Sequence, residues 1–135
     1  MTELRAHPSI FIPAIDYDRL FAMAESHARR EPEVADFLMR ELERASTEAP
    51  ADAERIVRMQ SHVRFRDDST GRVREVQLVY PGETDPAHGR ISVLTPVGTA
   101  LIGLTEGQSI RWTDRGGKSK SLTVLNVRDL RNNRN

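Results

Sequence analysis

The sequence predicts an α+β fold: a short antiparallel helical hairpin, a two-armed coiled coil, then a mostly antiparallel sheet with one short helix against it. Three observations carry this. Over residues 15–45 apolar side chains recur at the 3,4 spacing of one helical face. From Arg55 the period drops to 2, the spacing of a strand with one buried face. Within the second region the run from Asp85 to Gly107, DPAHGRISVLTPVGTALIGLTEG, holds six glycines and prolines in 23 residues around a single apolar turn and a half of helix.

The elements follow in order. Ile10-Phe11-Ile12 lies between Pro8 and Pro13, which restricts it to an edge strand or an extended lead-in. The first helix starts at Asp16 or Asp18, with Tyr17, Leu20, Phe21, Ala24 and Ala28 on one face. Pro32 interrupts and fits the first turn of a second helix, Glu33 to Ala45, whose stripe is Val34, Phe37, Leu38, Leu42 and Ala45. Arms of this length extend roughly 20–24 Å at about 1.5 Å per residue. The polar stretch STEAPADAE, residues 46–54, is the expected boundary, giving residues 1–50 to the hairpin and 51–135 to the sheet domain.

Ile56 to Arg66 alternates, with Val57, Met59, Ser61, Val63 and Phe65 on one side and Arg58, Gln60, His62, Arg64 and Arg66 on the other. Asp67 to Gly71 turns into a second strand, Val73 to Tyr80. Ile91 to Leu94 is a short strand, stopped by Thr95-Pro96, where Thr can cap and Pro can open the helix Val97 to Ile102. Gly103 ends that helix, and Ala100, Leu101 and Ile102 are its core contacts. Ser109 to Thr113, a turn at Asp114 to Gly117, and Leu122 to Val127 complete the sheet. The polar tail RDLRNNRN is expected to fray.

Composition excludes several functions. Twenty basic and 20 acidic residues cancel, which argues against strong direct nucleic-acid binding as the main task. There is no cysteine, so no disulfide, thiolate metal site or thiol nucleophile. No apolar run reaches membrane-spanning length, and MTELRAHPSIFIPA does not read as a signal peptide, so the cytoplasm is the expected compartment. The histidines His7, His27, His62 and His88 have no ligand spacing, and no G-x-S-x-G motif is present. Nothing calls for a cofactor or metal.

The run GRISVLTPVGTALIGLTEGQSI resembles the C-terminal domain of the bacterial Gre transcript-cleavage factors, with their pattern I-S-x-x-(S/T)-P-x-x-x-A-L-(I/L)-G. DRGGKSKSLTVLNV is similar to their closing hairpin, so the resemblance spans roughly residues 55–127. It implies an FKBP-like fold. The hairpin lacks the acidic tip motif of Gre factors, D-L-S-E-N-A-E-Y, and is too short for their long arm. A compact hairpin on a Gre-like domain resembles the Rnk family. That resemblance implies a non-enzymatic transcription elongation regulator, which binds RNA polymerase near the secondary channel and competes with Gre factors without cleaving transcripts.

Two groups of site candidates follow. At the hairpin tip stand Arg29, Arg30, Glu31, Glu33 and Asp36. In a Gre factor, tip carboxylates help hold Mg²⁺ for phosphodiester hydrolysis, so Glu31 and Glu33 are the residues a cleavage-stimulating alternative would use. The competing reading is that they solvate a turn, with Glu33 favoured by the helix N-terminus. The second group is Asp85, Ser92, Thr95 and Pro96, which the resemblance places near the surface that docks on the polymerase β′ coiled coil at the channel rim. These residues also suffice simply to build the turn and cap. Arg58, Arg64, Arg66, Arg72 and Arg74 form a basic strand face for an acidic partner or nucleic acid, or a solvated face. Peptidyl-prolyl isomerisation is suggested by fold analogy alone, with Phe65, Tyr80 and Trp112 as its only aromatic candidates. Apolar stripes on both arms also allow weak self-association.

Overall fold

The computed structural model describes residues 8–114 and 116–128. Ile10 to Ile12 is an extended lead-in with a single parallel bridge, Phe11 to Ser46. The Ile12 amide donates to the Ser46 carbonyl at 2.9 Å, Ser46 N–H to Ile10 at 3.0 Å, and Phe11 N–H to Gly103 at 3.3 Å. Ile10, Phe11 and Ile12 are all buried, so the lead-in is a strap threaded through the core.

Helix α1, Ala14–His27, begins directly after Pro13, two residues before the expected acidic start. Helix α2, Pro32–Arg44, has Pro32 at its first position. The hairpin buries Leu20, Ala24, Ala35, Leu38 and Leu42. Two stripe assignments are corrected. Phe21 is 40% exposed, and Ala28 caps α1 in solvent, because α2 and the strap cover only the side of α1 that carries Leu20 and Ala24. On α2 a carboxylate joins the buried face: Glu41 accepts from Arg44 Nη2 at 2.7 Å and Nε at 3.1 Å. Arg44 Nη1 in turn donates to the Pro8 carbonyl, which ties the strap to the helix.

Among the described residues the sheet has five strands: β1 His62–Asp67, β2 Val73–Val79, β3 Arg90–Ser92, β4 Ser109–Thr113 and β5 Ser119–Arg128. Their order is β3-β2-β1-β5-β4. Three pairings are antiparallel, and only β2 and β3 run parallel, so the sheet is mostly antiparallel as expected, with one parallel pair at its β3 edge. The reason lies in residues 80–89. Two short 3-10 turns, Pro81–Glu83 and Pro86–His88, carry the chain back along β2 rather than reversing it in a hairpin.

The first expected strand is also shortened. Gln60 adopts a positive φ of 77°, which breaks extended structure, and β1 begins only at His62. The alternation of burial nevertheless holds from Val57 to Phe65. Val57 pairs instead with the segment after the short helix, donating to Leu104 at 2.8 Å and accepting from Gly103 at 2.9 Å.

Helix α3, Pro96–Leu101, lies against the sheet as the sequence predicts. Thr95 Oγ1 caps it, accepting from Gly98 N–H at 3.0 Å. Gly103 takes φ 83°, a left-handed turn suited to glycine. Ala100, Leu101 and Ile102 join Leu38, Leu42, Ile12, Val63, Phe65, Leu122 and Val124 in one buried cluster shared by hairpin, strap and sheet. The tail beyond Arg128 and residues before Pro8, including His7, lie outside the described residues.

Candidate functional site

The turn from Ser92 to Pro96 is built by its own side chains. Ser92 Oγ accepts from Leu94 N–H at 2.9 Å, and Thr95 Oγ1 donates to the Ser92 carbonyl at 2.8 Å while capping α3. Thr99 Oγ1 donates to Val93 O at 2.7 Å, locking helix to turn from beneath. Ser92 is therefore buried, Thr95 half-buried, and Pro96 is left exposed at the apex. A locked turn of this kind presents its apical residue with little ordering cost on binding.

Asp85 lies at the opposite end of β3. It bridges to Arg90 through two backbone hydrogen bonds of 3.0 Å. Its carboxylate faces His88 Nδ1 at 2.8 Å, and that bond holds the carboxyl below the usual carboxylate range. Asp85 is half-exposed. The structure thus brings Ser92, Thr95 and Pro96 into one turn and sets Asp85 beside the same three-residue strand.

The tip candidates Arg29, Arg30, Glu31 and Glu33 are all exposed at the hairpin turn, and Asp36 pairs with Arg40 at 3.0 Å. Among the described residues no group of three or more His, Asp or Glu side chains is arranged to hold a metal ion. The basic strand face is corrected. Arg74 belongs to the other side of the sheet, its guanidinium 5.6 Å from the Phe65 ring centroid, and Arg58 precedes β1. Of the aromatic candidates, Phe65 is buried, Trp112 stacks on Phe37 at 6.3 Å, and Tyr80 carries Arg19 at 4.1 Å over its ring.

The Tyr80 contact escaped sequence reasoning. Burial, with the Asp16 charge nearby, raises the Tyr80 hydroxyl above its ordinary value, and its oxygen has no hydrogen-bond partner among the described residues. No local signal links positions 16–19 to 80.

Residues 52–129 match the family described as transcription elongation factor, GreA/GreB, C-term, and residues 8–46 match the Rnk N-terminus. The chain belongs to the Rnk family, with a GreA/GreB-type C-terminal region. It is 38% identical over 123 residues to the regulator of nucleoside diphosphate kinase of Escherichia coli (strain K12), covering 90% of each chain. It is 34% identical over 140 residues to transcription elongation factor GreA of Rhodospirillum rubrum, covering 93% of this chain and 88% of that one. Among solved structures, a prokaryotic transcription elongation factor GreA/GreB from Nitrosomonas europaea superposes with a TM-score of 0.68 at 36% identity, over 90% of this chain and 99% of that one. The Rnk-type hairpin and the GreA/GreB-type sheet are the two parts described above, and among the described residues no helix is long and apolar enough to cross a membrane.

Proposed function

We propose that this chain is a Gre-like transcription regulator that binds RNA polymerase at the rim of the secondary channel and competes there with Gre factors. The observation that carries the reading is the self-locked Ser92–Pro96 turn with Pro96 exposed, set in a GreA/GreB-type region. Asp85 supplies an acidic flank suited to a basic helical hairpin such as the polymerase β′ coiled coil. The division into a hairpin of residues 1–50 and a docking domain of residues 51–135 fits this task.

We further propose that the protein does not promote transcript cleavage. Arms of 14 and 13 residues reach about 20 Å, and Arg29 and Arg30 crowd the same turn as Glu31 and Glu33. Cations beside those carboxylates oppose recruitment of a second cation.

The test is capture of core RNA polymerase by the full chain, with a Gre factor as competitor. Binding that a Gre factor displaces, and that Asp85→Asn or Pro96→Ala weakens, supports the docking surface. Capture that neither variant changes would move the interface elsewhere, and absence of capture at micromolar protein removes the function. A backtracked elongation complex tests the second claim: release of short 3′ RNA above the polymerase's own rate, lost in Glu31→Gln/Glu33→Gln, would establish the cleavage alternative.

A further inference from the structure

One side of the sheet holds α3 and the core; the other is open. Its register places charged residues in adjacent rows. Arg90, Gln77, His62 and Arg128 align across four strands, and Glu75, Arg64 and Asn126 form the next row. A depression of about 170 Å³ opens over these rows, with His62, Arg64, Glu75, His88 and Arg128 in its wall.

The polar groups of that wall are unevenly employed. The Gln77 amide donates to the Gln60 carbonyl at 3.1 Å, and the Asn126 amide donates to Glu106 at 3.3 Å, so both are turned to structural tasks. The one carboxylate, Glu75, stands 4.0 Å from Arg64, a loose and exposed pair. Arg128 makes no ion pair among the described residues. His88 is oriented through its Nδ1 contact with Asp85, which leaves its Nε2 edge for another partner.

What the depression offers is cationic N–H donors, without an aromatic surface on which a base could stack. Planar guanidinium groups with an oriented imidazole match the oxygens of a phosphate group better than those of a single carboxylate. The neutral total charge does not oppose this, because the charges are segregated. Residues 1–50 carry 10 acids and 6 bases, whereas residues 51–135 carry 10 acids and 14 bases.

We infer that this depression binds a phosphate group, gripped by Arg64 and Arg128 with His88, held by Asp85, as a third donor. The phosphate belongs to a nucleotide monoester or to the diester backbone of a nucleic acid. The site does not include the exposed Pro96 apex and shares only Asp85, through His88, with the proposed docking surface; its Arg64 and Arg128 variants test it independently of polymerase docking.

The experiment is amide and imidazole NMR on the isotopically labelled full chain. It is titrated with inorganic phosphate, a nucleoside monophosphate and a short oligothymidylate, against chloride and acetate at matched ionic strength. Saturable shifts at Gly89, Asn126 and Arg128 with phosphate are expected, absent with chloride and acetate. They weaken several-fold in Arg64→Gln and in Arg128→Gln, while Arg66→Gln, on the same face outside the depression, keeps them. All three side chains are exposed, so the variants retain the fold. Tighter binding of the monophosphate identifies a nucleotide as the source. Tighter, steeply salt-dependent binding of the oligonucleotide identifies a nucleic-acid backbone. Shifts of equal size with chloride or acetate, no saturable shift at all, or a full response in both Arg64→Gln and Arg128→Gln overturns the inference.

Discussion

Gly98→Ala separates two opposite expectations for the short helix. In an unstrained helix interior, Ala is better than Gly by about 1 kcal/mol. Here, however, α3 crosses the end of β3 so closely that a Cβ on Gly98 would sit 2.8 Å from Val93 Cα and far inside van der Waals contact distance of the Ser92 carbonyl oxygen. Both obstacles are backbone, so neither can rotate away. The helix must retreat, yet Thr99, Ala100 and Leu101 on it are fully buried, and Thr99 is bonded to Val93. Overpacking of this kind costs roughly 1–3 kcal/mol and occasionally more. A clash against two backbone groups belongs at the upper end of that range, about 2–3 kcal/mol. Less the propensity gain of about 1 kcal/mol, a net loss of about 1–2 kcal/mol remains, or a Tm lowered by roughly 4–7 °C for a chain of this size. Thermal unfolding followed by circular dichroism measures it. A Tm equal to or above that of the parent would refute the close approach and the packing of α3 derived from it.

Thr95→Ala removes both the cap on Gly98 N–H and the bond to Ser92, at about 1 kcal/mol in urea unfolding, while Thr95→Ser keeps most of it. Tyr80→Phe deletes a buried hydroxyl without a partner, so stability should stay level or rise, and a marked loss would reveal a bond now unaccounted for. Hydrogen bonds from Ser69 hold Asp67 below the ordinary carboxylate value; for Asp68, burial opposes ionisation, but Arg66, Ser121 and Thr123 donate to it and lower it on balance. Both folded-state values lie below the unfolded ones. Their stabilisation is therefore present above the ordinary carboxylate range and is lost as pH falls through the depressed values. Asp68→Asn should flatten the acid limb of a stability-versus-pH curve and leave the neutral limb's slope unchanged.

Much of the fold was legible because its signals are local. The Thr95 cap, Pro96 at the helix start, the Gly103 exit and the Asp67–Gly71 turn each depend on residues a few positions apart, and all are found where the sequence puts them. The turn-building role of Ser92 and Thr95 was legible for the same reason, and Thr95 Oγ1 does bond the Ser92 carbonyl. What the sequence hid depends on distant partners. The alternation over residues 56–66 reads as one strand, and nothing local announces that Gln60 turns left-handed so that Val57 can pair with Leu104. Nothing local announces the burial of Glu41 with Arg44, because it depends on the strap that brings the Pro8 carbonyl to Arg44. Arg74 reads as part of a basic face until the register sets it opposite Phe65. The phosphate-binding candidate needs Arg64 and Arg128 in adjacent rows of one sheet face, a juxtaposition made only by pairing β1 with β5.

That strand order also governs how the molecule must be assembled during synthesis. Of the five described strands β5 is the last to leave the ribosome, yet it occupies an interior place, zipped to β1 on one side and β4 on the other. Until it arrives, the β1–β2 hairpin and β4 both present open edges, and the core lacks Leu122, Val124 and Val127. Unpaired edges of this sort recruit other chains. A nascent or prematurely terminated product ending before Ser119 is thus an aggregation hazard rather than a smaller working protein.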